Sequence, residues 1–88
     1  MMIERQYTIT NEQGLHARPA SLLVQMASQS KSAVILVKDQ KEFNAKSILG
    51  LMSVGAQKGA QVMIKIDGPD EEETVSKIEE LFNSNFGE

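Results

Sequence analysis

Cysteine and tryptophan are absent from the 88 residues, and histidine occurs once. Without thiols there is no disulfide, no thiolate zinc site and no cysteine nucleophile. A single imidazole cannot build a multi-histidine metal cluster, so no metal and no cofactor is expected. No apolar run approaches the roughly 18 residues of a membrane span. The opening Met1-Met2-Ile3-Glu4-Arg5-Gln6 reaches polar residues too early for a secretory h-region. The expectation is a cytoplasmic chain with no membrane insertion. Basic residues are also scarce: nine Lys/Arg against twelve Asp/Glu leave a net charge of −3. Direct nucleic-acid binding, which asks for a basic stripe, is therefore not expected.

Prolines number two, and no linker, repeat or low-complexity tract interrupts the chain, which reads as one domain over 1–88. A domain of this size buries only about 60–70% of the surface its unfolded chain exposes. That permits one thin core and leaves no room for a deep substrate cavity.

The hydrophobic patterning supplies the elements. Ile3, Arg5, Tyr7 and Ile9 alternate with Glu4, Gln6 and Thr8, the period of a half-buried strand. Asn11-Glu12-Gln13-Gly14 ends it. From Ala17 to about Gln29 the period changes: Ala20, Leu23, Val24 and Ala27 share one helix face, with Pro19 in the tolerant first turn. Ala33 to Val37 reads as a second strand and Lys41 to Ala45 as a weak third, joined across Lys38-Asp39-Gln40 although Asp-Gln is a poor hairpin pair. A short helix is expected from Ser47, followed by a loop. Val62, Ile64 and Ile66 mark a fourth strand. A last helix carries Val75, Ile78, Leu81 and Phe82 on one face, and its acidic start (Asp70 to Glu73) suits the macrodipole, with a capping box between Asp70 and Glu73 expected. The order β-α-β-β-α-β-α with one-sided strands implies an α+β fold: an open-faced two-layer sandwich, an antiparallel four-stranded sheet with three helices on one face.

Gly14-Leu15-His16-Ala17-Arg18-Pro19-Ala20 is the segment with chemical content. His16 lies where a loop enters the first helix, and the free N–H groups of that turn, at Ala17 and Arg18, are suited to an anion such as a phosphoryl group. Arg18 brings a charge-assisted donor to the same oxygens, and Gly14 relaxes the backbone on approach. These positive groups disfavour the imidazolium, so the ring is expected to titrate below about 6.5 and to act as a nucleophile at neutral pH. The helix end contributes about 0.3–1 kcal/mol and a hydrogen bond to a charged group about 1.5–3 kcal/mol, enough to hold a phosphoryl group without trapping it. The plainer reading is a polar cap on a helix.

The same segment resembles the active-site signature of the HPr family, the histidine-containing phosphocarriers of the bacterial phosphoenolpyruvate-dependent sugar phosphotransferase system. Lys46-Ser47-Ile48-Leu49-Gly50-Leu51-Met52-Ser53 resembles the regulatory-serine region of that family, in a Gram-positive-like form. The likeness spans essentially the whole chain, including the spacing between the two motifs. It implies a phosphoryl group accepted from phosphorylated enzyme I on Nδ1 of His16, supported by Arg18, and passed to enzyme IIA domains of sugar permeases. It also implies the strand order β1-β4-β2-β3, and a chain that carries a phosphohistidine without being an enzyme in its own right.

By chemistry alone Ser47 is a helix N-cap. The resemblance adds modification by an HPr kinase/phosphorylase and, in the phosphoserine form, binding to a catabolite-control transcription regulator. On a helix starting there, Leu51 and Val54 point inward, whereas Ile48, Leu49 and Met52 form an apolar patch. With Ser21, Val24 and Gln25 of the first helix, that patch is the expected docking surface of a monomer. Leu49 stands where such relatives often carry methionine, Gln13 where serine or asparagine is more usual, and Glu12 adds negative charge near His16. A family paralogue that serves regulation alone lacks the histidine, which His16 argues against. Two other classes compete: an ACT-like ligand-binding module, which needs no reactive histidine, and a self-sufficient enzyme, for which the chain offers no second acid or base and little room for a pocket.

Overall fold

The computed structural model describes residues 2–88. Four strands, β1 (Ile3–Thr8), β2 (Ala33–Lys38), β3 (Lys41–Asn44) and β4 (Gln61–Asp67), form one sheet in the order β1-β4-β2-β3. All three pairings are antiparallel, with Arg5 opposite Ile64, Leu36 opposite Ile64 and Leu36 opposite Phe43. Helices α1 (Ala17–Ser28), α2 (Ile48–Met52) and α3 (Glu71–Asn83) complete the expected order. A single 3₁₀ turn over Asn85–Gly87, absent from the sequence expectation, follows α3. The architecture is the open-faced α+β sandwich that the patterning implies.

Period-two burial is sharpest in the central strands, where Val34, Leu36, Val62, Ile64 and Ile66 are all at most 1% exposed. They meet Ala20, Leu23 and Ala27 of α1, Leu51 of α2 and Ile78 of α3. Glu4, Gln6 and Thr8 line the opposite, wet face of β1. The Asp39-Gln40 hairpin forms despite its poor turn chemistry: both residues take left-handed φ (53° and 68°), as a two-residue loop matched to strand twist requires. Pairing of β2 with both β3 and β4 imposes that geometry on the loop.

Two features depart from the expected pattern. Phe86 is 2% exposed, and its ring meets Phe82 edge-on at 4.9 Å, while Phe82 stacks on Tyr7 at 4.2 Å. This aromatic run fastens the end of the chain to β1. Tyr7 Oη donates to Glu79 at 3.0 Å. Burial first, and then that carboxylate, push the phenol up to about 12.

The expected capping box at α3 does not form, for Asp70 makes no side-chain cap bond to its own helix. Its carboxylate reaches across to the α1–β2 connection instead, accepting from Lys31 N–H at 2.9 Å, Ser32 Oγ at 2.6 Å and Ser30 Oγ at 3.0 Å. Lys46 Nζ donates to the Ser30 carbonyl at 2.9 Å from the other side. The connection therefore uses the carboxylate that the box would have used.

The Lys31 amide, followed by the serine hydroxyls, holds the Asp70 carboxyl far below its ordinary value of 3.8. A depressed carboxylate adds stability above the unfolded value and loses it as pH falls toward the folded one. Asp70→Asn should therefore melt earlier than the parent above about pH 5, with the gap in Tm closing as pH is lowered from about 4 toward 2. Thermal melts followed by circular dichroism across that range check it, and a gap that does not change with pH would contradict the account.

Candidate functional site

His16 is the N-cap residue of α1, in extended backbone (φ −80°, ψ −172°), and its side chain caps nothing. The carbonyl of His16 accepts the first helical bond, from Ala20 N–H at 3.0 Å. The N–H groups of Ala17 and Arg18 stand at the turn where an α-helix has no internal acceptor, and Pro19 has no N–H to leave unpaired. The ring is 30% exposed, neither buried nor hanging free.

The preceding loop is what places it. Ile9 and the 59–60 backbone exchange two bonds, Ile9 N–H to Ala60 O at 2.8 Å and Gly59 N–H to Ile9 O at 2.7 Å. Leu15 N–H then donates to Ala56 O at 2.9 Å. Between them Gly14 adopts φ +69°, and a Cβ there would collide with the Ala56 carbonyl oxygen and lie 2.7 Å from Gln57 Cα. Gly14 thus serves close backbone approach, rather than flexibility on ligand entry as the sequence suggested. Leu15 is buried, and the next residue, His16, is half-exposed.

Arg18 is 63% exposed, two residues into the helix start. Sequence reasoning missed Glu88. Its Oε2 lies 3.1 Å from His16 Nε2 and 3.8 Å from Arg18 Nη1. Its Oε1 accepts from Asn11 Nδ2 at 2.6 Å. Asn11, and then His16 and Arg18, hold this carboxyl below the usual carboxylate range. The environment of the ring is accordingly mixed in sign, and the carboxylate that supplies the negative charge is Glu88 rather than the expected Glu12. No periodicity or local spacing pointed to Glu88, since 72 residues separate it from His16. Glu12, by contrast, is bound to Lys58 at 2.7 Å, so its charge is locally compensated. No hydrogen bond engages His16 Nδ1 among the described residues.

Ser47 caps α2 as its chemistry predicts: Oγ accepts from Gly50 N–H at 3.1 Å. The helix divides its apolar residues as expected. Leu51 is fully buried and Val54 8% exposed, while Ile48, Leu49 and Met52 are 42%, 81% and 46% exposed. Helix α1 packs beside α2, with Gln25 exposed and Ser21 and Val24 half-buried.

Residues 3–84 match the family model of the HPr component phosphorylation site of the phosphotransferase system. The phosphocarrier protein HPr of Treponema pallidum is 42% identical over 87 residues, covering 99% of each chain. The crystal structure of HPr-C-His from Thermoanaerobacter tengcongensis superposes with a TM-score of 0.93 at 46% identity, over 98% of this chain and 97% of that one. Crh, a catabolite repression containing protein of Bacillus subtilis that crystallises as a swapped dimer, reaches 0.74 at 38% identity, over 94% and 95%. A two-layer sandwich with a histidine at the mouth of its first helix is, in this lineage, a small phosphoryl carrier of the phosphotransferase system. The chain belongs to the HPr family.

Gly14→Ala tests the placement of the loop. The left-handed φ costs a non-glycine residue about 1–2 kcal/mol, and the overlap with Ala56 adds to that. The variant should lose at least this much in urea unfolding, and the amide resonances of Leu15 and His16 should move. A variant as stable as the parent would show that the loop adapts.

Proposed function

We propose that His16 is the phospho-acceptor, taking a phosphoryl group from phosphorylated enzyme I on Nδ1 and donating it to enzyme IIA domains. The observation that carries this reading is the combination at one helix start of a half-exposed imidazole with an unoccupied Nδ1, free first-turn amides and the exposed Arg18 guanidinium. Nδ1 attacks phosphorus, and the Ala17 and Arg18 amides and the Arg18 side chain receive the phosphoryl oxygens. The helix end offers about 0.3–1 kcal/mol and each charge-assisted bond about 1.5–3 kcal/mol. Support of that size stabilises the adduct while leaving it transferable. The neighbouring protein supplies the remaining catalysis, which is why so small a site suffices.

Incubation with phosphoenolpyruvate and enzyme I should add one acid-labile phosphoryl group to the chain, read by intact mass. His16→Ala should add none. A variant still phosphorylated in an acid-labile form would refute the assignment.

The second element of the reading is regulatory. Ser47 is the residue we assign to an HPr kinase/phosphorylase, with the phosphoserine form binding a catabolite-control transcription regulator. Its Oγ sits on the edge of the apolar patch of Ile48, Leu49 and Met52, which with Ser21, Val24 and Gln25 forms the surface assigned to partner docking. A phosphate brings about −1.5 to −2 charges to that edge. It need not unfold α2, because the Gly50 N–H can be accepted by a phosphate oxygen as it now is by Oγ. Charge placed against an apolar contact costs about 1–3 kcal/mol, so Ser47→Asp should lower kcat/KM for transfer from phosphorylated enzyme I roughly tenfold. Unchanged transfer kinetics would rule out this electrostatic account while leaving the carrier role intact.

A further inference from the structure

With no cysteine in the chain, methionine is its only oxidisable sulfur. The five methionines are placed unequally. Met26 of α1 packs against the core, and Met63 is half-buried in β4, opposite Gln6 of β1 and Val37 of β2. Met2 and Met52 are 49% and 46% exposed. Met2 precedes β1, whereas Met52 ends α2, one turn from Ile48, within the exposed apolar patch. The surroundings of that patch carry no charge: no Asp, Glu, Lys or Arg occurs from Ser47 to Gln57, nor from Pro19 to Ser30. A contact made there rests on burial of apolar surface, to which a thioether contributes much as an aliphatic group does. Ser53, the next residue, uses its hydroxyl proton on the Gly50 carbonyl at 2.7 Å.

We propose that Met52 is an oxidation site, and that its sulfoxide form weakens docking of phosphorylated enzyme I on the α2 patch. The oxidant is an oxygen donor of the peroxide class, and a thiol-dependent sulfoxide reductase restores the thioether. This rests on the reading of the patch as the docking surface of a phosphoryl carrier.

A lone pair on Sδ attacks one oxygen of hydrogen peroxide, and the O–O bond breaks. The departing hydroxide takes the proton from the transferred hydroxyl and leaves as water. Sulfur is oxidised by two electrons and the peroxide is reduced by two. The side chain changes from an apolar thioether to a polar sulfoxide with a strong acceptor oxygen. In the free chain that oxygen faces water, so the core behind Leu51 is undisturbed. Under an apolar partner surface it is stripped of water, and the neighbouring Ser53 hydroxyl has no second proton to offer. Phosphorylation of Ser47 would bring charge to the edge of this contact, whereas oxidation of Met52 changes the polarity of the contact itself.

The test treats the parent chain and Met52→Leu with hydrogen peroxide, removes the excess with catalase, and assigns the added oxygen by peptide mass. Met2 and Met52 should be oxidised at least about fivefold faster than Met26 and Met63. Transfer from phosphorylated enzyme I is then measured for each chain relative to its own untreated form. The kcat/KM of the parent should fall about fivefold or more, and treatment with a methionine sulfoxide reductase should restore it. Met52→Leu, still oxidised at Met2, should keep its untreated value. Phosphorylation by phosphoramidate, a small donor that needs no docking surface, should be the same before and after oxidation. An oxidised parent that still accepts from enzyme I at the untreated rate, a loss shared by Met52→Leu, or an equal loss with phosphoramidate would overturn the proposal and leave the carrier role intact. An untreated parent that accepts a phosphoryl group from neither donor would overturn the carrier reading, and this proposal with it.

Discussion

The hydrogen bond from Leu15 N–H to Ala56 O, made across a glycine with no Cβ to obstruct it, determines where the His16 ring can be. It joins the loop leaving β1 to the segment entering β4, and those strands are themselves paired from Thr8 opposite Gln61 to Ile3 opposite Ile66. The sheet thus acts as a ruler. Once β1 and β4 are in register, the loop is drawn against Ala56, Leu15 turns inward, and the next residue falls at the cap of α1. The position of His16 is a consequence of sheet pairing more than of any contact made by the histidine.

The rest of the site follows from what a helix start leaves undone. Its first amides have no internal partners, and a proline in the first turn removes a donor where none is needed. The site is a surface feature, an open hollow of about 370 Å³ lined by Glu12, Gln13, His16, Asn85 and Glu88, in keeping with a core of one thin layer. In the function we propose, docking of a larger protein, rather than a lid, completes the environment of the ring. In that proposal the exposed patch of Ile48, Leu49 and Met52 and the adjoining face of α1 make the contact, and Ser47 modulates it through charge.

Structural carboxylates are used sparingly and at a distance. Asp70 forgoes capping its own helix to tie down the connection between α1 and β2, and Glu88 reaches from beyond the last helix to the ring. In both, a short acidic side chain joins segments far apart in sequence. Their depressed titration has the same origin, hydrogen-bond donors converging on a charge.

Local pattern was enough for most of the fold. Alternation in Val62, Ile64 and Ile66, the i, i+3, i+4, i+7 spacing of Ala20, Leu23, Val24 and Ala27, and the split of Leu51 from Ile48, Leu49 and Met52 all depend on neighbours a few residues away, and each element lies where its period places it. The same holds for His16, Arg18 and Ser47, which occupy helix starts recognisable from flanking residues. Local pattern had nothing to say about Glu88, Asn11, Phe86 or the true partner of Asp70, nor about the reason for Gly14. Each of these depends on a meeting between segments tens of residues apart. A carboxylate looks alike in sequence whether it faces water, a serine hydroxyl or an imidazole, and only the closing of the sheet decides which of these it meets.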